Sequence, residues 1–119
     1  MPSSRPATRF LDILDNIRRI LSDLQGMDRA AFAADSRTRD AVERCLERLS
    51  EAATRLGAQA DELAPGLPWP AVRAFGTVLR HAYDQVGPAR ICEIATGDLP
   101  RMAAAAEAAL QRRDKAQDS

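Results

Sequence analysis

Aromatic residues are scarce in this chain, which has one Trp, one Tyr and three Phe among its 119 residues. A surface that binds single-stranded nucleic acid by stacking the bases needs several exposed aromatic side chains, so this sequence does not predict one. Acidic and basic residues number 17 each and cancel, which excludes a global positive field that would attract nucleic acid or an anionic membrane. Any contact with nucleic acid must therefore come from a local basic patch.

Cysteine, histidine and long apolar runs are equally sparse. The two cysteines, Cys45 and Cys92, have no metal-ligand spacing around them and are predicted to be buried free thiols in a reducing compartment, with a structural disulfide as the less favoured interpretation. The N-terminus lacks the apolar run of a signal peptide, and no stretch is long enough to span a membrane. We therefore expect a cytoplasmic protein that uses no metal ion and no cofactor and has no membrane partner.

The chain is rich in Ala, Leu, Arg and Glu and has no period-two alternation of apolar residues. This composition predicts an all-α fold. Two long helices are marked by apolar residues at three- and four-residue steps. The first stripe is Phe10, Ile13, Leu14, Ile17, Ile20, Leu21 and Leu24, and the second is Val42, Cys45, Leu46, Leu49, Ala53 and Leu56. We expect one domain, residues 1–119, folded as a bundle of four to five helices with frayed tails at 1–6 and 112–119.

Local signals predict where the helices begin and end. Gly26 and Gly57 are natural stops for the two long helices. Asp28 is placed to cap a short helix between them, and the next helix should start near Asp35 or Ser36. The stretch ELAPGLPWP, residues 62–70, is predicted to be a turn region because it is dense in Pro and Gly.

The second half of the chain should hold two further helices. Pro70 suits the first position of one, which Gly87 and Pro88 end. The other should run from Pro88 to about Arg112, with Pro100 kinking or dividing it after Gly97.

The stretch LRHAYDQVGP, residues 79–88, holds the only histidine and the only tyrosine, His81 and Tyr83. On a helix, Val72, Phe75, Leu79, Ala82 and Val86 form an apolar stripe, whereas Arg73, Thr77, His81 and Asp84 form a polar stripe flanked by Arg80.

A solvated face is the plain interpretation of that polar stripe. Its composition favours a functional site, because a histidine can act as acid or base and neighbouring arginines can hold a phosphate. Gly76 lies mid-helix, where it costs about 1 kcal/mol relative to Ala, and this suggests close approach of another backbone or a local bend. Since residues two apart diverge by about 200°, His81 and Tyr83 share a site only if the helix distorts or a second subunit supplies one of them.

Four blocks resemble the HepT-like branch of the HEPN superfamily: RFLDILDNIRRI, TRDAVERCLERLSEAATRL, LPWPAVRAFGTVLRHAYDQV and ICEIATGDLPRM. They occur in order and cover the chain from about Arg9 to Leu110. The resemblance implies a HEPN-like helical bundle that forms a homodimer. It also implies the toxin half of a type VII-like toxin–antitoxin pair, a metal-independent endoribonuclease acting on RNA. The implied antitoxin is a minimal nucleotidyltransferase of the MNT type, which neutralises the toxin by transferring AMP to the motif tyrosine.

The family motif is an arginine, four to six residues, then His-x-Tyr. Carried over by residue, its histidine is His81 and its tyrosine, also the predicted modification site, is Tyr83. Positions 74–76, where the arginine is expected, are Ala, Phe and Gly. Arg73 has seven residues between itself and His81, and Arg80 is adjacent to it. The candidate catalytic residues are therefore His81, Arg80, Tyr83 and Arg73, with Arg80 favoured over Arg73.

Two other functions remain open at this level. Because the motif arginine is absent at its expected position, the chain could be a catalytically impaired homologue that acts as a binding partner of the nucleotidyltransferase. It could also be a regulatory module that binds a nucleotide through the same polar stripe without cleaving RNA.

Three further residues outside the motif are interpreted structurally. Asp40 and Glu51 are predicted to form helix-surface ion pairs with Arg44 and Arg55. Trp69 is predicted to be a packing anchor rather than a stacking platform for bases.

Overall fold

The computed structural model describes residues 5–82 and 86–118, together with their side chains except those of residues 80–82 and 113–118. Most of these residues are helical, and no strand occurs among them. The elements are α1 (Pro6–Leu24), α2 (Arg29–Ala34), α3 (Ser36–Leu56), α4 (Ala58–Leu63), α5 (Trp69–Ala82), α6 (Pro88–Glu93), a π-helical turn (Ile94–Asp98) and α7 (Leu99–Asp118). The prediction of an all-α helical bundle is confirmed.

The core lies between α1, α3, α5 and α7, with α1 packed against α3 and α7, and α3 packed against α5. The apolar stripe predicted for α3 is buried throughout. On α1 the prediction is wrong for Leu21, which is 38% exposed, while Phe10, Ile13, Leu14, Ile17 and Ile20 are buried. Within the described ranges no helix is both long and apolar enough to cross a bilayer.

The predicted ends of the first three helices are confirmed by their hydrogen bonds. Asp28 caps α2 by accepting a bond from the Ala31 amide at 2.7 Å, and Asp35 caps α3 by accepting one from the Thr38 amide at 3.0 Å. Bonding to the Thr38 amide lowers the pKa of the Asp35 carboxyl. Gly26 follows α1 with φ of 79°, a backbone conformation that glycine adopts at little steric cost.

The sequence analysis missed α4. Gly57 ends α3 as predicted, with φ of 55°, but a new helix begins at the next residue. It contains only the six residues AQADEL, too few to show a helical period. Trp69 is buried behind it and donates its indole N–H to the Ala64 carbonyl at 2.8 Å, so the packing role predicted for Trp69 is confirmed.

Before Pro100 the helix widens into a π-helical turn instead of ending. Proline has no N–H to donate to the carbonyl four residues earlier. The preceding residues, Ile94–Asp98, form a π-helical turn in which the Leu99 amide bonds the Ile94 carbonyl. The helical backbone therefore continues from Pro88 to Asp118, six residues beyond the predicted end at Arg112. The assignment of the whole chain to one domain stays a prediction.

Candidate functional site at the end of α5

A buried serine fixes α5, the helix of the motif, against α3. Ser50 is 2% exposed, and its hydroxyl donates to the Arg73 carbonyl and accepts from the Gly76 amide, both at 3.0 Å. Gly76 itself is buried. The group that approaches Gly76 is therefore a side chain of α3 in the same chain, where the sequence had suggested another backbone or a local bend.

This contact also explains why position 76 suits a glycine. The Gly76 amide meets a hydroxyl of α3 at hydrogen-bonding distance. Arg73, three residues earlier, meets the same hydroxyl through its carbonyl. This part of the α5 backbone therefore faces α3 directly. The side chain of an arginine at position 76 would therefore begin on the side of α5 that packs against α3.

α3 and α5 run in opposite directions, as their contacts show. Ser50 lies beside Arg73 and Gly76, Gly57 lies within reach of Arg73, and residues 39–43 share a cavity with Val86. Glu43 precedes Ser50 by seven residues, or about 10 Å along α3. His81 follows Gly76 by five residues, or about 8 Å along α5. Glu43 thus lies on α3 at nearly the level of the His81 backbone.

The structure describes the predicted site residues unequally. The backbone of Arg80 and His81 belongs to the last turn of α5, and their side chains lie outside the described part. Tyr83 and Asp84 lie wholly outside it. His81 occupies the helical position one turn after Thr77, an exposed residue. The roles predicted for these residues stay predictions.

Arg73 is the one candidate whose side chain is described. It is half-buried, and its Nη1 reaches the Gly57 carbonyl at 3.5 Å. Gly57 ends α3, where free carbonyls and the helix dipole favour a cation. Arg73 is therefore directed to the opposite end of the α3–α5 interface from His81, with about 12 Å of helix between the two positions.

A polar cavity lies beside the motif end of α5. It has a volume of about 300 Å³ and is lined by Arg39, Asp40 and Glu43 of α3 and by Val86, Gly87, Pro88 and Ile91. Arg39 is half-buried, and its Nε is buried without a hydrogen-bond partner. Burial raises the pKa of the Glu43 carboxyl, and the charge of Asp40 raises it further.

The sequence analysis missed Arg39 and Glu43. Their i,i+4 spacing places both on one side of α3, but about 40 residues separate them from His81, and only the packing of α3 on α5 relates them. The pair predicted between Asp40 and Arg44 is wrong, because neither residue forms an ion pair within the described ranges. The pair predicted between Glu51 and Arg55 is confirmed at 3.0 Å.

Metal ligation and thiol chemistry find little support in the described residues. No group of three or more His, Cys, Asp or Glu side chains among them could hold a metal ion. Cys45 is a buried free thiol whose pKa is raised by burial. Cys92 is free and half-buried. The prediction of a buried free thiol is confirmed for Cys45, and for Cys92 it is wrong in burial only.

Several apolar residues lie on the outer side of α5. Ala71 and Ala74 are exposed, and Val78 is 41% exposed. Beside them, half-buried Phe75 lines a groove of about 360 Å³. The groove continues over α3, α6, the π-helical turn and α7, with Leu46, Leu49, Arg90, Ile94, Asp98, Leu99 and Met102 among its walls.

Comparisons with known proteins agree with this architecture. A family model described as ribonuclease HepT-like matches residues 13–109, which include α3, α5 and the His-x-Tyr motif. Searches of the curated proteins and of the solved structures give no significant match. Since the family model covers most of the chain, from the first turns of α1 to the middle of α7, the chain belongs to the ribonuclease HepT-like family.

Proposed function

We propose that this chain is a metal-independent endoribonuclease, the toxin of a type VII-like toxin–antitoxin pair, acting in the cytoplasm. The observation that carries the proposal is the family match over residues 13–109, because it includes the only histidine of the chain together with Tyr83. The cavity at the level of the His81 backbone, with an arginine and two carboxylates in its wall, supports the same location for the site.

The chemistry requires few groups. The 2′-oxygen of the RNA attacks the adjacent phosphorus, forming the O2′–P bond and breaking the P–O5′ bond. A base accepts the 2′-OH proton, and an acid returns a proton to the leaving 5′-oxygen, so the products are a 2′,3′-cyclic phosphate and a 5′-hydroxyl. His81 performs at least one of these transfers. A guanidinium stabilises the charge that develops on the phosphoryl oxygens.

The proposed metal-independent ribonuclease activity is tested by cleavage of labelled RNA in the presence of EDTA. The wild-type protein should cleave, and His81→Ala should reduce the rate by about 10²–10⁴-fold, the range for loss of a general acid or base. Equal cleavage by the two proteins would point to a contaminating nuclease. If the freshly purified, unmodified wild type cleaves no RNA, the proposed ribonuclease activity is rejected.

A homodimer would complete the site, because each chain has a single histidine and the reaction has two proton transfers. The apolar residues on the outer side of α5 support this assembly. Val78→Glu would bury a charge in that interface, so we expect the dimer dissociation constant to rise at least about tenfold. Leu11→Glu, at a position 56% exposed on α1, is the matched control. A wild-type monomer at micromolar concentration in light scattering would contradict the dimer.

The partner that we propose is a nucleotidyltransferase antitoxin. It would transfer AMP from ATP to the phenolic oxygen of Tyr83, forming an O–P bond and releasing pyrophosphate. The attached phosphate would compete for the guanidinium that should hold the RNA phosphate. Co-expression with the transferase should raise the intact mass by one or more AMP units. A mass shift that persists in Tyr83→Phe would show that another residue is the acceptor.

A catalytically impaired binding partner of the same transferase is the second candidate. Positions 74–76 supply no guanidinium, and residue 76 faces α3. This candidate predicts a stable complex with the transferase and no RNA cleavage by unmodified protein. RNA cleavage that depends on His81 would reject it.

A further inference from the structure

Among the described arginines, Arg39 combines partial burial with a cavity at the level of the motif. Its Nε is buried without a hydrogen-bond partner, and no ion pair of the described residues includes its guanidinium. Burying a guanidinium N–H group without a hydrogen-bond partner is unfavourable. A position that retains such a group is therefore a candidate for binding an external anion.

Arg39 lies beside a cavity in which such an anion could bind. Arg39 lines the cavity with Glu43 on α3 and with Val86 and Gly87, which follow the motif by a few residues. By the antiparallel packing of α3 on α5, the Arg39 backbone lies about 9 Å further along the interface than the level of His81. This is somewhat more than the length of an extended arginine side chain, so a phosphate would lie between Arg39 and His81. Arg73 starts about 12 Å away on the other side and is directed to Gly57.

We propose that Arg39, on α3, adds a second guanidinium to the one expected from Arg80 and binds the RNA phosphate at the cleavage site. The proposal rests on the proposed function and adds a residue to it. A planar guanidinium can bond two phosphoryl oxygens at once, so Arg39 would favour the charged transition state as well as the bound substrate. Glu43, one turn along α3, limits where the phosphate can lie because its carboxylate repels an anion.

The experiment compares Arg39→Ala and Arg39→Lys with Arg37→Ala. Arg37 is an exposed arginine two residues earlier on α3, so its removal changes the net charge equally. Cleavage is measured on unmodified RNA of mixed sequence. Binding is measured on 2′-O-methyl RNA of the same sequence, which cannot cleave itself, between about 50 and 200 mM salt. Circular dichroism and the thermal midpoint test each variant for folding.

Arg39→Ala should reduce cleavage about 100-fold or more. It should also reduce the slope of log binding constant against log salt by about 0.7, the value for one phosphate contact on a single strand. Arg39→Lys should keep the slope and lose about tenfold in cleavage, because it keeps the charge without the planar pair of donors. Arg37→Ala should stay within about twofold of the wild type. A change of slope is not expected from a purely structural defect, so this readout remains decisive even if Arg39→Ala is less stable.

Three results separate the possible failures. If the wild type cleaves RNA and Arg39→Ala matches Arg37→Ala in rate and slope, Arg39 does not contact the phosphate. If the wild type cleaves no RNA but Arg39→Ala alone reduces the salt dependence of binding, the ribonuclease function is rejected and the phosphate contact stands. If the wild type neither cleaves nor binds RNA, both are rejected.

Discussion

The two ends of the α3–α5 interface differ in whether the arginine there has a hydrogen-bond partner. At one end, Trp69 bonds the Ala64 carbonyl and Arg73 reaches Gly57 at the end of α3. At the other end, Arg39 has a buried nitrogen with no partner, and burial raises the pKa of Glu43. Ser50 lies between them and bonds α5 twice.

This difference indicates that one end of the interface stabilises the fold and the other takes part in function. Hydrogen-bonded buried groups stabilise a fold, whereas a buried polar group without a partner needs another explanation, such as a ligand. The end that holds the arginine without a partner is the end toward His81. We therefore interpret the Trp69 end as a structural anchor and the Arg39 end as the part of the interface that meets RNA.

The largest expected effect distinguishes the two arginines of α5. Arg80→Ala should reduce RNA cleavage by about 100-fold, as the loss of one group that stabilises the transition-state charge does. Arg73→Ala should change the rate by no more than a few fold, because its guanidinium is directed to Gly57. Initial cleavage rates at matched protein concentration provide the measurement. A loss with Arg73→Ala and none with Arg80→Ala would reverse the assignment of the two ends.

A smaller effect, on stability, is expected at the centre of the interface. Ser50→Ala removes a buried hydroxyl that donates to Arg73 and accepts from Gly76. We expect the free energy of unfolding to fall by about 1–2 kcal/mol, measured by urea denaturation. Thr54→Ala on the same helix removes a hydroxyl that bonds only the Ser50 carbonyl of its own helix and should cost less. Equal losses would show that the contact between α3 and α5 contributes nothing specific.

The smallest expected effect is a gain in stability when Glu43, at the Arg39 end of the interface, is replaced. The pKa of Glu43 is raised in the fold by burial and by Asp40, against the opposing effect of Arg39 and with a further increase from Glu47. The folded state thus holds the Glu43 proton more tightly than the unfolded state does. The native protein loses stability as the pH rises through the usual glutamate pKa toward the raised value.

Glu43→Gln removes this loss, so at pH 7 it should be more stable than the wild type by less than about 1 kcal/mol, given the partial exposure of the side chain. The difference should disappear below the usual glutamate pKa, where both side chains are neutral. Urea denaturation at pH 4 and pH 7 checks this. Reduced stability of Glu43→Gln at pH 7 would show that the carboxylate forms favourable contacts in the fold.

The helices and most of their ends were predictable because they depend on local rules. The three- and four-residue spacing of Phe10, Ile13 and Ile17 indicates a buried face, and Asp28 and Asp35 are short acceptors at helix starts. The six-residue helix α4 was not predictable, since it is shorter than two helical turns.

The candidate site was predictable only in part. His81 could be singled out as a candidate because it is the single histidine beside the single tyrosine, a feature of the local sequence. The contact of Ser50 with Gly76 and the cavity of Arg39 and Glu43 depend on how far α3 is shifted along α5. Periodicity within either helix does not determine that shift, so the sequence suggested another backbone or a bend at Gly76 and did not identify the Ser50 side chain.

The most direct test of the central claim, a ribonuclease site at the motif end of α5, is the identity of the RNA ends after cleavage. Unmodified and 2′-O-methyl RNA of one sequence are incubated with wild type and with His81→Ala in EDTA, and the products are analysed by mass spectrometry. We predict that wild type cleaves only the unmodified RNA, leaving a 2′,3′-cyclic phosphate and a 5′-hydroxyl, and that His81→Ala leaves both RNAs nearly intact. Products with 5′-phosphate ends, cleavage of the 2′-O-methyl RNA, or full activity of His81→Ala would contradict the account.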